Sequence, residues 1–325
     1  MKYVKRFVRK ILNTGGSLYY RIRAYHPIWF YILNRKGRAL YKAAGFSFSE
    51  EEKKAIHTLR EKGIYITHIS KFFPPEIFNE LQGYVDRRWK DGDVEEWKRN
   101  RDTLMEGEKM KSKEYFLFNL WEGSHVINVQ HPFIGFSLSN PIVKIVSGYL
   151  GALPRFRYFS LEATMPMSEG MRAYASQQWH RDPDDQQLVK AFLYLNDVDE
   201  AGGPFTYLQY SQRGGKWRTF FPQQPPRGNA KTTEDVNTSI PKEDVIQCMG
   251  KAGTMIFCDT SGLHKGGYAS SNVRFMYTSA YLSNASPWPI RYTYPSGFDA
   301  RKLSNPLNYV LDNDPHQKEP QFYLK

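Results

Sequence analysis

Gln178-Trp179-His180-Arg181-Asp182-Pro183 holds an imidazole and a carboxylate one residue apart. On an extended strand residues i and i+2 point to the same side, so His180 and Asp182 converge on one point while Arg181 points away. Two imidazoles and one carboxylate can occupy one face of a six-coordinate ferrous ion and leave three positions open for a cosubstrate and dioxygen. The second imidazole, His264, lies far downstream, so the fold has to deliver it from a distant strand. Its context, Gly253 to His264, reads as a short apolar strand followed by a turn that delivers the histidine. Arg274 then opens a strand-like run that ends at Leu282. Alternation puts Arg274, Met276, Thr278 and Ala280 on one face and Phe275, Tyr277, Ser279 and Tyr281 on the other. An inward guanidinium needs an anion, and its planar fork suits a carboxylate held bidentately. The set predicts an iron oxygenase. A His-x-Asp pair by itself arises readily by chance in a chain with eight histidines, so the combination carries the reading. His26, His57, His68, His125, His131 and His316 have no ligand-like neighbours and read as structural or solvated.

These residues resemble the phytanoyl-CoA dioxygenase-like family of iron(II)/2-oxoglutarate-dependent oxygenases. The likeness rests on Gln178 to Pro183, on Lys190-Ala191-Phe192-Leu193-Tyr194-Leu195-Asn196-Asp197-Val198, on Gly202-Gly203-Pro204-Phe205 and on the His264/Arg274 pair. Phe48 to Glu52 and Gly63 to Ile66 look like the helix, glycine and strand that open such a domain, so the likeness spans about residues 46 to 290. It implies a mainly β fold with flanking helices and a double-stranded β-helix (jelly-roll) core. It also implies Fe(2+), 2-oxoglutarate and O2 as cofactor and cosubstrates, with His180, Asp182 and His264 as iron ligands and Arg274 on the distal carboxylate of 2-oxoglutarate. Phe192 lies where relatives commonly have an aromatic near 2-oxoglutarate. Thr278 shares the Arg274 face and is a candidate for the same carboxylate. Related halogenases have a small residue at the position of Asp182, so the retained carboxylate implies hydroxylation, or a desaturation or ring closure by the same hydrogen abstraction. Met165-Pro166 stands where relatives often place a lysine before a proline, which leaves Arg274 to carry more of the anchoring. Leu208 to Gly215 lacks the histidine of the family's Gly-Ser-His segment.

Composition fits one globular domain with appendages: 325 residues, 41% hydrophobic, enough to bury a sizeable core. Cys248 and Cys258 are too few for a disulfide framework and suggest a reducing, cytoplasmic setting. The net charge of +12 is uneven, because residues 1–46 carry eleven Lys or Arg and no acid while the rest is nearly neutral. We read 1–46 as a basic helical arm and 47–325 as the oxygenase domain, with a lid-like insertion at about 213–245. Val4, Phe7, Val8, Ile11 and Leu12 make one apolar face of a basic helix, which suits peripheral contact with an anionic membrane or packing of the arm on the core. The longest apolar core noted, Ile28 to Leu33, is far short of the roughly 20 residues that span a bilayer, so no transmembrane helix is expected.

The leading expectation is a dioxygenase acting on a small molecule or on a lipid- or glycan-linked group, giving succinate and CO2. A nucleic-acid demethylase of the same superfamily is the second, weakened because the basic excess sits in the arm. A non-catalytic jelly-roll binding module is the third. Gln178 and Trp179 flank the metal motif, and Asp184 and Asp185 are candidates for contact with a polar substrate at the mouth or for capping the turn after Pro183.

Overall fold

A computed structural model describes residues 18–107, 109–223, 236 and 238–313. Eleven strands are named within them: β1 Ile64–His68, β2 Met105–Glu106, β3 Lys109–Met110, β4 Leu117–Asn119, β5 Arg155–Thr164, β6 Leu188–Tyr194, β7 Thr206–Leu208, β8 Val245–Gln247, β9 Thr254–Cys258, β10 His264–Lys265 and β11 Arg274–Leu282. Six form a sheet in the order β1-β9-β6-β11-β5-β4, three form a second in the order β10-β7-β8, and β2 and β3 make a hairpin. Every pairing between named strands is antiparallel.

The helix expected near residue 50 is Glu50–Lys62, and its start is written in the sequence. Ser49 accepts the Glu52 N–H at 3.2 Å while the Glu52 carboxylate accepts the Ser49 N–H at 2.7 Å, a reciprocal cap worth about 1 kcal/mol. Gly63, at φ +79°, ends it and turns the chain into β1. This helix, Pro75–Asp91 and Asn140–Leu150 cover one face of the six-stranded sheet. The parity of β11 sorts as the alternation predicts: Phe275, Tyr277 and Tyr281 pack into that helix-covered core, while Arg274, Met276 and Thr278 line a cavity on the other face. Phe192, Tyr194 and Ile256 of the large sheet meet Phe205 and Tyr207 across it, so a second apolar layer joins the two sheets.

One apolar stretch escapes the sequence reading. Pro132–Leu150 is long and apolar enough to cross a membrane by length and composition, but it is two helices parted at Leu138-Ser139, and 72% of its most apolar window is buried in the core. The arm divides. Residues 1–17, which carry the expected amphipathic face, lie outside the described residues. Residues 18–45 pack on the domain: Trp29, within a six-residue π-helical turn, donates its indole N–H to Asp185 at 2.6 Å, and Asn34 donates to Ser283 at 3.1 Å. Leu18, Ile22, Tyr25, Tyr31 and Ile32 remain exposed on the same segment.

Candidate metal centre

His180 and Asp182 lie on extended chain outside the named strands, where the sequence suggests a strand. The segment is held by a single bridge, in which His180 N–H donates to the His264 carbonyl at 2.8 Å and His264 N–H returns the bond at 2.9 Å. Asp182 N–H adds a bond to the Thr260 carbonyl at 2.9 Å. The i, i+2 geometry therefore survives without a ladder, and it sets the two histidine rings 4.2 Å apart. One ligand atom from each of His180, Asp182 and His264 lies within 4.8 Å of the others, close enough to hold one metal ion.

Both rings are oriented in the same way. His180 Nδ1 is 2.8 Å from the Gln178 carbonyl and His264 Nδ1 is 3.0 Å from the Gly262 carbonyl. A carbonyl can only accept, so each Nδ1 carries the proton and each Nε2 keeps a free lone pair. Burial depresses the pKa of both, that of His264 to about 3, with His180 as the second cause, so the imidazoles are neutral and competent as ligands. Burial alone would raise the Asp182 carboxyl. The Lys190 ammonium beside it overcomes this and holds it well below the usual carboxylate range.

Lys190 is the neighbour that sequence reading missed. Its Nζ lies 2.6 Å from Asp182 Oδ2, inside the cavity and almost wholly screened from solvent. No aligned hydrogen bond reaches that oxygen, so the contact is an ion pair of charge more than of direction. Lysine in a strand usually marks a solvent-facing edge, and the available signal was parity with Phe192 and Tyr194, which face the same way.

The turn that delivers His264 is built on Asp259, also unforeseen. Its buried carboxylate accepts the Ser261 N–H at 2.9 Å and the Tyr149 hydroxyl, and its carbonyl accepts the Tyr207 hydroxyl at 3.0 Å. Arg181 points away as expected and is fully used: its five N–H groups reach the carbonyls of Ser211, Trp217, Phe220, Phe221 and Ser261 at 2.5–3.0 Å. The first part of the insertion is thereby tied to the back of the metal motif. Among the described residues of 213–245, none lines the cavity. Residues 224–235 and 237, the middle of the expected lid, lie outside the described residues.

The cavity has a volume of about 420 Å3, and its walls bring together His180, Asp182, His264, Arg274, Thr278 and Phe192. Arg274 is buried at one end. One guanidinium nitrogen donates to the Gly203 carbonyl, another to Thr164 Oγ1 at 2.9 Å, and the Nε has no hydrogen-bond partner. Among the described residues no carboxylate pairs with it. Gly203, at φ +64°, packs so closely on Gly267 that a Cβ there would sit 1.6 Å from the Gly203 oxygen, which explains the glycine pair at this wall. Other expected residues lie elsewhere. Trp179 is buried behind the metal motif with Leu208 and Leu263, Gln178 bonds the Ala173 carbonyl, and Asp185 faces the arm and not the mouth. His125 and Arg291, not singled out from sequence, do line the cavity. Cys248 and Cys258 are buried free thiols.

Comparison with known proteins supplies the fold. The chain is similar to EctD from S. alaskensis solved with 2-oxoglutarate and 5-hydroxyectoine, at 13% identity over 83% of this chain and 92% of that one, with a TM-score of 0.50. EctD from S. alaskensis with bound Fe aligns at 12% identity over 77% and 91%, TM-score 0.47. The epimerase SnoN in complex with Fe3+, alpha ketoglutarate and nogalamycin RO aligns at 14% over 76% and 88%, TM-score 0.45. No family model and no curated protein matches the chain. The likeness to EctD is one of fold, antiparallel sheets with flanking helices, and the site chemistry rests on this chain's own residues.

Proposed function

We propose that this protein is an iron(II)- and 2-oxoglutarate-dependent dioxygenase with a double-stranded β-helix core, hydroxylating a small molecule or a lipid- or glycan-linked group and releasing succinate and CO2. One observation carries the reading: a buried Arg274 with no carboxylate in ion-pair contact shares a cavity wall with two neutral imidazoles and an ionised carboxylate. The donor set suits ferrous iron, because two nitrogens and one carboxylate on one side leave positions open on the other. Bound iron would supply the oxidising chemistry. His180 and His264 would offer Nε2, Asp182 one carboxylate oxygen, and Lys190 would keep the second oxygen occupied. Arg274 and Thr278 would seat the distal carboxylate of 2-oxoglutarate, since a buried guanidinium with no anion in direct contact gains from a carboxylate that reaches its free N–H groups. Phe192 and Phe205, 4.7 Å apart, wall the space between and exclude water.

The test is 2-oxoglutarate affinity and turnover. Arg274→Met is expected to weaken 2-oxoglutarate binding by about 30-fold or more, the scale of truncating one partner of a buried charge pair. Metal affinity should stay within a few-fold. Titration calorimetry of both ligands checks this, and unchanged 2-oxoglutarate affinity would remove Arg274 from its role.

A peripheral membrane contact of the arm is a second proposal, supported by the exposed Leu18, Ile22, Tyr25, Tyr31 and Ile32 on an acid-free segment. Apolar side chains beside basic ones suit an anionic lipid surface, each nearby cation adding about 1 kcal/mol. Sedimentation with phosphatidylglycerol vesicles should pull down the protein, phosphatidylcholine vesicles should not, and Ile22→Asp with Ile32→Asp should abolish the difference. Equal sedimentation with both lipids would end the idea.

A further inference from the structure

We infer that the substrate is a compact polar molecule that presents a hydroxyl or ammonium group to Asp184, and that the chamber rejects an extended acyl chain. The inference rests on the dioxygenase reading for the position of the metal, and it concerns the other half of the same cavity.

Asp184 lies two residues beyond Asp182, at a bend, and both carboxylates line the cavity while the intervening Pro183 does not. The Asp184 backbone is fixed, since its carbonyl accepts the Ser286 hydroxyl at 2.7 Å. Its carboxylate, in contrast, accepts no hydrogen bond from another residue's side chain and has no cation within ion-pair distance; its own backbone N–H reaches it, and Lys190 and Arg291 act on it from farther off. The nearest internal cation is not available to it, because Lys190 is held 2.6 Å from Asp182 Oδ2. Glu162, beside Met276 in the β5–β11 register, also lines the cavity, with no cation in ion-pair contact and Arg274 acting on it from farther off. Half-buried carboxylates without a direct ion pair favour a ligand that brings its own donors.

The rest of the lining agrees. Ser160 and Gln177 add polar groups, and the Gln177 side-chain amide nitrogen is buried with no partner. Phe116, Leu117 and Phe159 add apolar wall, so the chamber is mixed in character. The 420 Å3 also has to hold the cosubstrate, and it sits near the small end of the roughly 300–1,000 Å3 range of ligand pockets. An alkyl chain lying there would strand two carboxylates against hydrocarbon, a penalty that discriminates against it without any steric block. A ring or short chain with several O–H or N–H groups satisfies the same two carboxylates.

The experiment uses the full chain loaded with Zn(II) and 2-oxoglutarate, and four probes of defined chemistry: glucose, glucosamine, cyclohexanecarboxylate and octanoate. Saturation-transfer NMR is expected to show glucose or glucosamine bound, with octanoate and cyclohexanecarboxylate weaker. Asp184→Leu should cut the sugar signals about tenfold or more, as expected for losing one charge-assisted hydrogen bond, and raise that of octanoate. Asp184→Asn, isosteric and uncharged, keeps an acceptor. Retained glucose binding with a lost preference for glucosamine assigns an ammonium to Asp184, and equal binding of both sugars throughout assigns a hydroxyl. Octanoate as the strongest wild-type probe, sugar signals unmoved in Asp184→Leu, or no sugar signal at all would overturn the inference. Calorimetry of Zn(II) and 2-oxoglutarate on the same samples separates the two ideas: intact cosubstrate binding with failed sugar probes sinks the substrate class alone, and lost cosubstrate binding sinks the dioxygenase reading.

Discussion

His180→Ala and Asp182→Ala are each expected to remove succinate formation from 2-oxoglutarate, by on the order of 1,000-fold or more, the scale on which losing one member of a catalytic unit registers. The geometry explains why neither loss can be absorbed. The ligand atoms of the three residues lie within 4.8 Å of one another, and among the described residues this is the one group of three or more His, Cys, Asp or Glu placed to hold a metal ion. Each histidine is also committed to one tautomer by the carbonyl two residues before it, so a displaced ring cannot offer its other nitrogen. Succinate release should be followed with added ferrous iron, alongside metal content by mass spectrometry of the purified variants. Wild-type rates in both variants would take the metal assignment away.

Lys190→Met carries the second large effect, and it appears without any catalysis. Removing the ammonium leaves the Asp182 carboxylate buried and without a strong cation, and breaking a buried pair in this way costs about 3–5 kcal/mol. The metal-free variant should therefore unfold at much lower denaturant concentration than the parent. A divalent cation replaces the missing charge, so added Zn(II) or Ni(II) should stabilise the variant more than the parent and narrow the gap between them. Lys190→Arg should stay near the parent in the absence of metal. Denaturant unfolding of the three proteins, with and without metal, checks the pattern. Equal metal-free stability of Lys190→Met and the parent would show that the ion pair contributes nothing.

Strand parity and side-chain chemistry singled out His180, Asp182, His264, Arg274 and Thr278, and the resemblance added Phe192; the structure brings all six to one cavity wall. Of the two carboxylates expected at the mouth or as caps of the turn after Pro183, Asp184 lines the cavity, while Asp185 turns to Trp29 and the Ser283 N–H. What escaped has physical reasons. Lys190 is a charged residue on an internal strand, tolerated because Asp182 lies beside it, and a pairing across the fold leaves no periodic trace. His125 and Arg291 reach the cavity from irregular chain, where no repeat marks the inward side. Asp259 works through hydrogen bonds to backbone and to Tyr149, contacts that a sequence does not display. The extended strand expected to carry His180 and Asp182 is reduced to bridge contacts because its hydrogen-bonding partners are a turn and a two-residue strand, too short to build a ladder.

The clamp of Trp29 on Asp185 alters how the basic arm should be regarded. Asp185 follows the metal-ligating Asp182 by three residues, and the same carboxylate accepts the Ser283 N–H at 2.8 Å just beyond the end of β11. The indole thus closes a three-way junction of arm, metal loop and central strand. A chain shortened to begin at residue 47 would not shed a passive leader. It would open a charged gap in the rear wall of the iron site, and any partner that grips the arm would be pulling on the metal loop.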